Sequence, residues 1–453
     1  MLDEILRGVT RCYRLPPLDS AAASSPAKAL ALALEQAREA LARAGTPDEA
    51  LKRRFIDSLA RMIRDALRTD GGDPVFQAMT LRHRVVRVRE YASLSAHAGQ
   101  DRRGIRAAVA SLAHPGKVAR IVSVAQRDAL SGLHAAATSA DSSAFHETVR
   151  ALLEVPEIAQ DSALASGLVR LRDSDALTRL RRLESLEADE SVRHYRSLCD
   201  LQGPRPGSAL AVAHGAASQR RGVATEAAAA RALEALARRL DEADGTRDAW
   251  RVVTSMRVPA SIPASHAHAK TEWDAVLLHR VSADDEAWDV RLLVEAKASV
   301  DAAATDFGRL LRGIRLLAHA ERDATYAFET RCGTMRIRGA SLGALRTDEA
   351  SLRRTVLYCC DAPAEANPRL LGAAIRMQLL SAPASLEYAA ALAENPHADA
   401  QVLEAIWTDL LASPRWRAVL DQYPMLRQVR ELMVHTNDLA AAADNAHCES
   451  GNA

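Results

Sequence analysis

The chain has 453 residues, of which 48% are hydrophobic and only 4% aromatic. One hydrophobic core rarely serves so long a chain, so we expect two or three domains, mostly helical rather than mainly β. The 59 basic and 58 acidic residues leave a formal charge of +1, which excludes an overall field that attracts nucleic acid or lipid. No apolar run approaches the length of a bilayer span, and we expect no membrane association.

The cysteines and the N-terminus indicate a cytoplasmic protein. The six cysteines are scattered without metal-ligand spacing, as in proteins of a reducing compartment. Asp3 and Glu4 stand where a secretory signal would need an apolar stretch. The basic residues are nearly all arginine, as a GC-rich, bacterial genome would favour. The lysines are Lys28, Lys52, Lys117, Lys270 and Lys297, and each raises the question of whether its chemistry needs an amine.

Residues 1–202 form the first predicted region. Apolar residues recur there at three- to four-residue spacing, with turn-like interruptions, which predicts an all-α region. Its helices could bind DNA, a protein partner or one another. The stretch Gly203-Pro-Arg-Pro-Gly207 cannot continue a helix and predicts a domain boundary.

Residues 208–362 are predicted to form an α/β unit, because valine-rich apolar runs alternate there with helical patterns. The predicted elements are a helix over 217–240, strands near 251–258, 274–281 and 288–296, a helix over 302–320, and strands around 325–330, 334–338 and 355–360. Residues 363–435 are predicted to be a C-terminal helical region, and 436–453 a flexible tail.

Two of the predicted strands carry polar residues that could share one site. Glu295 and Lys297 are two positions apart and therefore project from the same face of their strand. Asp274 lies at the start of the preceding strand, and a hairpin can bring it beside Glu295. A lone glutamate and lysine at a strand end are most often a partly exposed ion pair. A third carboxylate is therefore needed to favour a cation site over such a pair.

Glu226 is that third carboxylate. It lies seven residues before Leu233, on the helical stripe of Ala229, Leu236 and Leu240, and we expect it to face the sheet. An unpaired carboxylate there is costly. Carboxylates from two adjacent strands could hold a hard divalent ion, while the amine orients or deprotonates a water.

The order of these elements resembles the PD-(D/E)XK phosphodiesterase superfamily, also called restriction-endonuclease-like. The resemblance covers residues 208–362, with Trp273 where the family name has proline. It implies a mixed central sheet flanked by helices and a nuclease site dependent on Mg²⁺ or Mn²⁺. It also implies that Asp274 and Glu295 bind the metal, that Glu226 is an auxiliary acid and further ligand, and that Lys297 activates water or stabilises the transition state.

Arginines on the predicted helices are the candidate substrate contacts. Arg309 and Arg312 lie on the helix after the Glu-x-Lys strand, and Arg220 and Arg221 lie near the start of the first helix. They could hold phosphates without reading sequence, or they could form a solubilising face. We expect a nuclease for DNA rather than RNA. The alternatives are a non-catalytic helical interaction protein with a nuclease-like domain and an RNA-cutting or exported toxin. The oligomeric state stays open.

Overall fold

A computed structural model describes residues 1–16, 18, 25–121, 123–139, 141–204, 207–280, 282 and 286–445. The chain divides into two compact units. The sheet unit contains Met1–Met62, Arg205–Leu379 and Leu403–Ala453, and the helical unit contains Ile63–Pro204 and Leu380–Val402. One of the four points at which the chain passes between the units falls within the predicted linker, of which Arg205 and Pro206 lie outside the described residues.

The regular elements described up to residue 204 are all helices. Several begin at an aspartate or serine whose side chain accepts a backbone N–H of the first turn, as at Asp73, Asp161 and Ser174. The helices are α1 Leu2–Gly8, α2 Pro26–Ala42, α3 Glu49–Leu67, α4 Pro74–Arg84, α5 Val86–Ala113, α6 Pro115–Val118, α7 Val124–Ala136, α8 Ser142–Leu153, α9 Pro156–Ala159, α10 Ser162–Arg172, α11 Asp175–Leu186 and α12 Glu190–Leu201. In the helical unit, Val109, Leu133 and Val149 belong to one buried apolar cluster.

The α/β segment follows the order expected from the sequence. Its elements are α13 Ala209–Asp244, β1 Trp250–Arg257, β2 Glu272–His279, β3 Asp289–Lys297, α14 Val300–Leu317, β4 Thr325–Thr330, β5 Gly333–Arg338, α15 Gly339–Gly343, α16 Glu349–Thr355 and β6 Val356–Cys360. The first helix begins earlier than predicted and ends at Gly245, whose φ of 68° is the left-handed cap that glycine adopts without a Cβ clash. Of the predicted loop between β2 and β3, residues 281 and 283–285 lie outside the described residues.

The remaining elements complete the sheet unit and add a helix to the helical unit. They are α17 Ala373–Leu380, α18 Pro383–Glu394, α19 Glu404–Ala412, α20 Arg417–Leu420, α21 Gln422–Leu432, β7 Met433–His435 and α22 Thr436–Asn445, with 3₁₀ turns at Ala400–Leu403 and Pro414–Trp416.

The sheet is mixed, and among the described residues it has seven strands in the order β5-β4-β1-β2-β3-β6-β7. β1, β2 and β3 form an antiparallel meander, whereas β6 lies parallel to β3. α13 packs on one face through Leu233 and Leu236, and α14 packs on the other through Phe307 and Ile314. Both faces of β3 are therefore covered, which explains its nearly continuous apolar sequence.

Two C-terminal features differ from the expectation. Met433–His435, in a region expected to be helical only, pairs with β6 as strand β7, because three residues between helices are too short a run for a periodic signal. Thr436–Asn445, part of the expected flexible tail, form α22, in which Leu439 and Ala443 are buried. Residues 446–453 of that tail lie outside the described residues. Among the described helices, none combines the length and apolar character needed to cross a membrane.

Candidate functional site

Glu295 is the centre of the candidate site. It lies near the end of β3, and its side chain is 0% exposed. Its Oε2 atom is 2.6 Å from Nζ of Lys270 and 3.1 Å from Nζ of Lys297. Its Oε1 atom is buried and has no hydrogen-bond partner among the described residues. A buried acceptor without a partner is costly, so this oxygen has the capacity to bind a further group.

Asp274 stands beside Glu295. The ladder between β2 and β3 runs as far as Ala275 and Val294, which places Asp274 opposite Glu295 at the next position. There the Asp274 Oδ2 atom accepts the Ala296 N–H at 2.8 Å. Opposite residues of antiparallel strands have Cα atoms about 4.5–5.5 Å apart. The two residues are thus neighbours across the strands, and the charge of Asp274 acts on Glu295.

Lys270 is a site residue that the sequence reasoning did not select. Its side chain is 7% exposed, and its backbone N–H donates to the Arg309 carbonyl of α14 at 3.2 Å. This close approach requires Gly313, because a Cβ there would lie 2.8 Å from the Lys270 carbonyl oxygen. The available signal was a lysine in a lysine-poor chain, four residues before Asp274.

Asp306 is a second residue that the sequence reasoning missed. Its Oδ2 atom is 3.5 Å from Nζ of Lys297. Asp306 lies on α14 between the buried residues Ala303 and Leu310, at the helical spacing that places all three on one face. That spacing was the signal that could have found it. The buried Tyr358 lies close by, and burial together with the charges of Asp306 and Glu295 raises the pKa of its hydroxyl.

Glu226 differs from the expectation. Its side chain is exposed, and Thr225 takes the buried, sheet-facing position of α13 instead. The reason is helical phase, because Thr225 is four residues before the buried Ala229 and Glu226 is one position further round. Glu226 still belongs to the edge of the site, since partial desolvation and the charge of Asp274 raise its pKa.

The charges of the site are unbalanced. Two ammonium groups face four carboxylates, those of Glu226, Asp274, Glu295 and Asp306, which leaves a formal charge of −2. Burial, followed by the charge of Asp274, raises the pKa of Glu295 to about 8, whereas the two amines act in the opposite direction. Burial lowers the pKa of Lys297, but the surrounding carboxylates outweigh it and the net shift is upward. Lys297 is therefore cationic in the metal-free protein.

Protein stability without metal should fall as the pH rises from about 4.5 to about 8. Over that range the folded Glu295 holds a proton that the unfolded chain has lost, so the folded state binds more protons. In a Glu295→Gln variant the side chain at this position cannot titrate, so the stability of the variant should vary less with pH than that of the wild type. Urea denaturation in chelator, at about pH 5, 6.5 and 8, measures this. The exposed Glu329→Gln is the control, and equal slopes for Glu295→Gln and wild type would contradict the assignment.

The four predicted substrate arginines lie on the two helices that flank the sheet. Arg309 and Arg312 of α14 are exposed, and Arg312 Nε donates to the His268 carbonyl at 2.8 Å, in the loop that leads to Lys270. Arg220 and Arg221 of α13 are also exposed, one to two turns before Glu226. Within the described part of the chain, none of the four is ion-paired with a carboxylate, although Arg221 donates to the Ser218 hydroxyl at 3.4 Å.

The donors of the site suit a hard cation. Carboxylate oxygens from Asp274, Glu295 and Glu226 are the ligand type of Mg²⁺ and Mn²⁺, and the orphaned Glu295 Oε1 together with the excess negative charge fits a divalent ion. In the described ranges, no three His, Cys, Asp or Glu side chains are already gathered as ligands of one ion. Comparison of the chain with protein-family models, curated proteins and solved structures gives no match.

Proposed function

We propose that the chain is a metal-dependent phosphodiesterase that cleaves DNA in preference to RNA. The proposal rests on the site and on the order of the elements that build it. α13, the antiparallel strands β1 to β3, α14 and the parallel strand β6 follow the order that the resemblance to PD-(D/E)XK nucleases implies. We place the activity in the cytoplasm, where the described cysteines, all free, would stay reduced.

The observation that carries the proposal is the environment of Glu295. A fully buried carboxylate beside another carboxylate is expensive, even with two amines nearby, and a hydrophobic side chain would often stabilise the fold as well. Perturbed ionisable groups of this kind cluster at functional sites. A purely structural ion pair would also not explain the orphaned Oε1 atom of Glu295.

Asp274 and Glu295, with Glu226 at the edge of the site, would hold the ion. When bound, Mg²⁺ or Mn²⁺ would neutralise charge on the phosphate and lower the pKa of a water. Lys297, whose side chain is 20% exposed, is the amine that can reach the substrate. Its N–H groups would donate to a nonbridging phosphate oxygen as negative charge develops there.

The remaining residues would position these groups or move a proton. Lys270 is buried against Glu295 and would fix the orientation of that carboxylate. Where Asp274 and Glu295 alone hold the ion, the exposed Glu226 would accept the proton of an attacking water, a role that its raised pKa favours. Arg309 and Arg312 would hold flanking phosphates, which requires no reading of base sequence.

Incubation of the full chain with supercoiled plasmid, linear duplex and RNA of the same sequence tests the proposal. We expect cleavage with Mg²⁺ or Mn²⁺, no cleavage with chelator, and a preference for DNA. Asp274→Asn, which keeps the shape of the side chain and removes its charge, should abolish the activity. The absence of cleavage under all of these conditions, or its persistence in Asp274→Asn, would favour a helical interaction protein that only retains the shape of a nuclease.

A further inference from the structure

A pocket lined by arginines lies in the sheet unit, outside the acidic site. Its volume is about 560 Å³. The lining consists of Asp3, Leu6, Arg7, Arg11, Arg14, Ala350, Arg353, Arg354 and Glu431. These residues come from α1 and the segment after it, from α16 and from α21. The pocket and the acidic site share no residue. α16 leads into the start of β6, whereas Glu295 lies beside Tyr358, further along that strand.

The pocket carries an excess of positive charge. Five arginines line it against two carboxylates, a formal charge of +3 in a chain whose total is +1. Glu431 contacts two of the arginines: it lies 3.0 Å from Arg14 and 3.9 Å from Arg353. Glutamate 349, outside the lining, also pairs with Arg353. Three carboxylates, those of Asp3, Glu349 and Glu431, therefore face five arginines.

Arg11 is the member of the cluster with unused hydrogen-bonding capacity. Its Nη2 donates to the Leu6 carbonyl at 3.3 Å, but its Nη1 is buried and has no hydrogen-bond partner among the described residues. Burial and the like charges of Arg14 and Arg353 lower its pKa. A partly buried guanidinium beside like charges is destabilising unless anions compensate them, and in this cluster Glu431 is the anion that acts on Arg11. The unmet donor is a second indication of a further anionic ligand.

We propose that this pocket binds a small molecule that carries two or more phosphate groups. A guanidinium presents a planar fork of donors that matches phosphate oxygens. The positive charge of the lining is larger than the single negative charge of a carboxylate ligand could balance, whereas two phosphate groups could balance it. The volume is that of a small-molecule site. The binding of this ligand does not depend on the nuclease proposal, because no residue of the acidic site takes part.

Titration calorimetry of the full chain tests the proposal. The probes are pyrophosphate, ATP, inorganic phosphate, adenosine and a short single-stranded oligonucleotide, each at about 0.15 M salt because screening removes weak surface binding. We expect one pyrophosphate or ATP per chain with Kd below about 1 mM, and no binding of adenosine. Arg11→Ala should weaken binding by about tenfold or more, since hydrogen bonds to charged groups contribute about 1.5–3 kcal/mol.

Two further variants keep the test decisive if Arg11→Ala folds poorly. The exposed Arg354→Ala should also weaken binding, whereas Arg336→Ala, on the opposite edge strand β5, should leave it unchanged. Binding of the oligonucleotide alone, lost in Arg354→Ala, would overturn the small-molecule proposal, because it would assign these arginines to a nucleic-acid polymer. Failure of every anion to bind, or equal binding by all three variants and wild type, would overturn the proposal.

Discussion

Replacement of Lys297 by alanine is expected to lower the rate of DNA cleavage about 10²–10⁴-fold, the range typical of a lost proton-transfer or charge-stabilising group. Lys297 contacts Glu295 and Asp306 and is the more exposed of the two site amines. Its removal leaves Lys270 in place beside Glu295, so the fold should be retained. Single-turnover cleavage of plasmid DNA, with circular dichroism of the same samples, measures both effects.

Lys297→Arg separates the two possible roles of this amine. A guanidinium keeps the positive charge but cannot lose its proton under these conditions. Partial activity in Lys297→Arg would indicate that Lys297 acts through its charge, and activity as low as in Lys297→Ala would indicate that it transfers a proton or that its compact shape is required. Undiminished cleavage by Lys297→Ala would remove Lys297 from the reaction.

Replacement of Lys270 by methionine is expected to act on stability more than on the cleavage rate. The loss in the free energy of unfolding should be about 3–5 kcal/mol at about pH 9, where Glu295 of the wild-type protein is ionised. Lys270 is almost fully buried and is the nearest cation to Glu295. Its removal leaves the Glu295 charge with only the more distant amine or forces Glu295 to take up a proton, and both outcomes are unfavourable at this pH. Urea denaturation measures the loss. Lys297→Met is the matched control and should cost less, because Lys297 is partly solvated.

The double variant Lys270→Met with Glu295→Gln checks the cause of that loss. Once the buried charge is absent, most of the stability should return, because the penalty belongs to the unpaired carboxylate rather than to the lost lysine packing. A double variant as unstable as Lys270→Met alone would show instead that the loss comes from the Lys270 side chain itself and not from the unpaired carboxylate. The backbone contacts of residue 270 with α14, next to Gly313, are the same in both variants.

The local pattern of the sequence predicted most of the sheet and part of the site. Alternation along β3 places Glu295 and Lys297 on one face, and their 3.1 Å contact follows from that spacing. The strands β1 to β6 are near their predicted positions. The clearest signals are the apolar runs of β2, β3 and β6, which polar turns bound. Strand β7 lacks such a run and depends on its pairing with β6.

What the sequence could not supply were the contacts made across long separations. Lys270 reaches Glu295 because the loop before β2 packs on α14. The spacing of apolar residues in the sequence does not predict such a contact. Asp306 faces Lys297 from a helix whose phase relative to the sheet is a tertiary property. The same limit applies to Glu226, for which a helical-wheel count was one position out of phase, and to the arginine pocket, whose lining comes from three separate parts of the chain.

The central claim is that two facing carboxylates hold a divalent ion, and calorimetric titration of Mn²⁺ into the chelator-treated full chain tests it most directly. The account predicts a site that wild type and Lys297→Ala both retain and that Asp274→Asn loses, because the oxygens of Asp274 and Glu295 bind the ion and the lysine does not. No Mn²⁺ binding by the wild-type chain, or equal binding by Asp274→Asn, would contradict it.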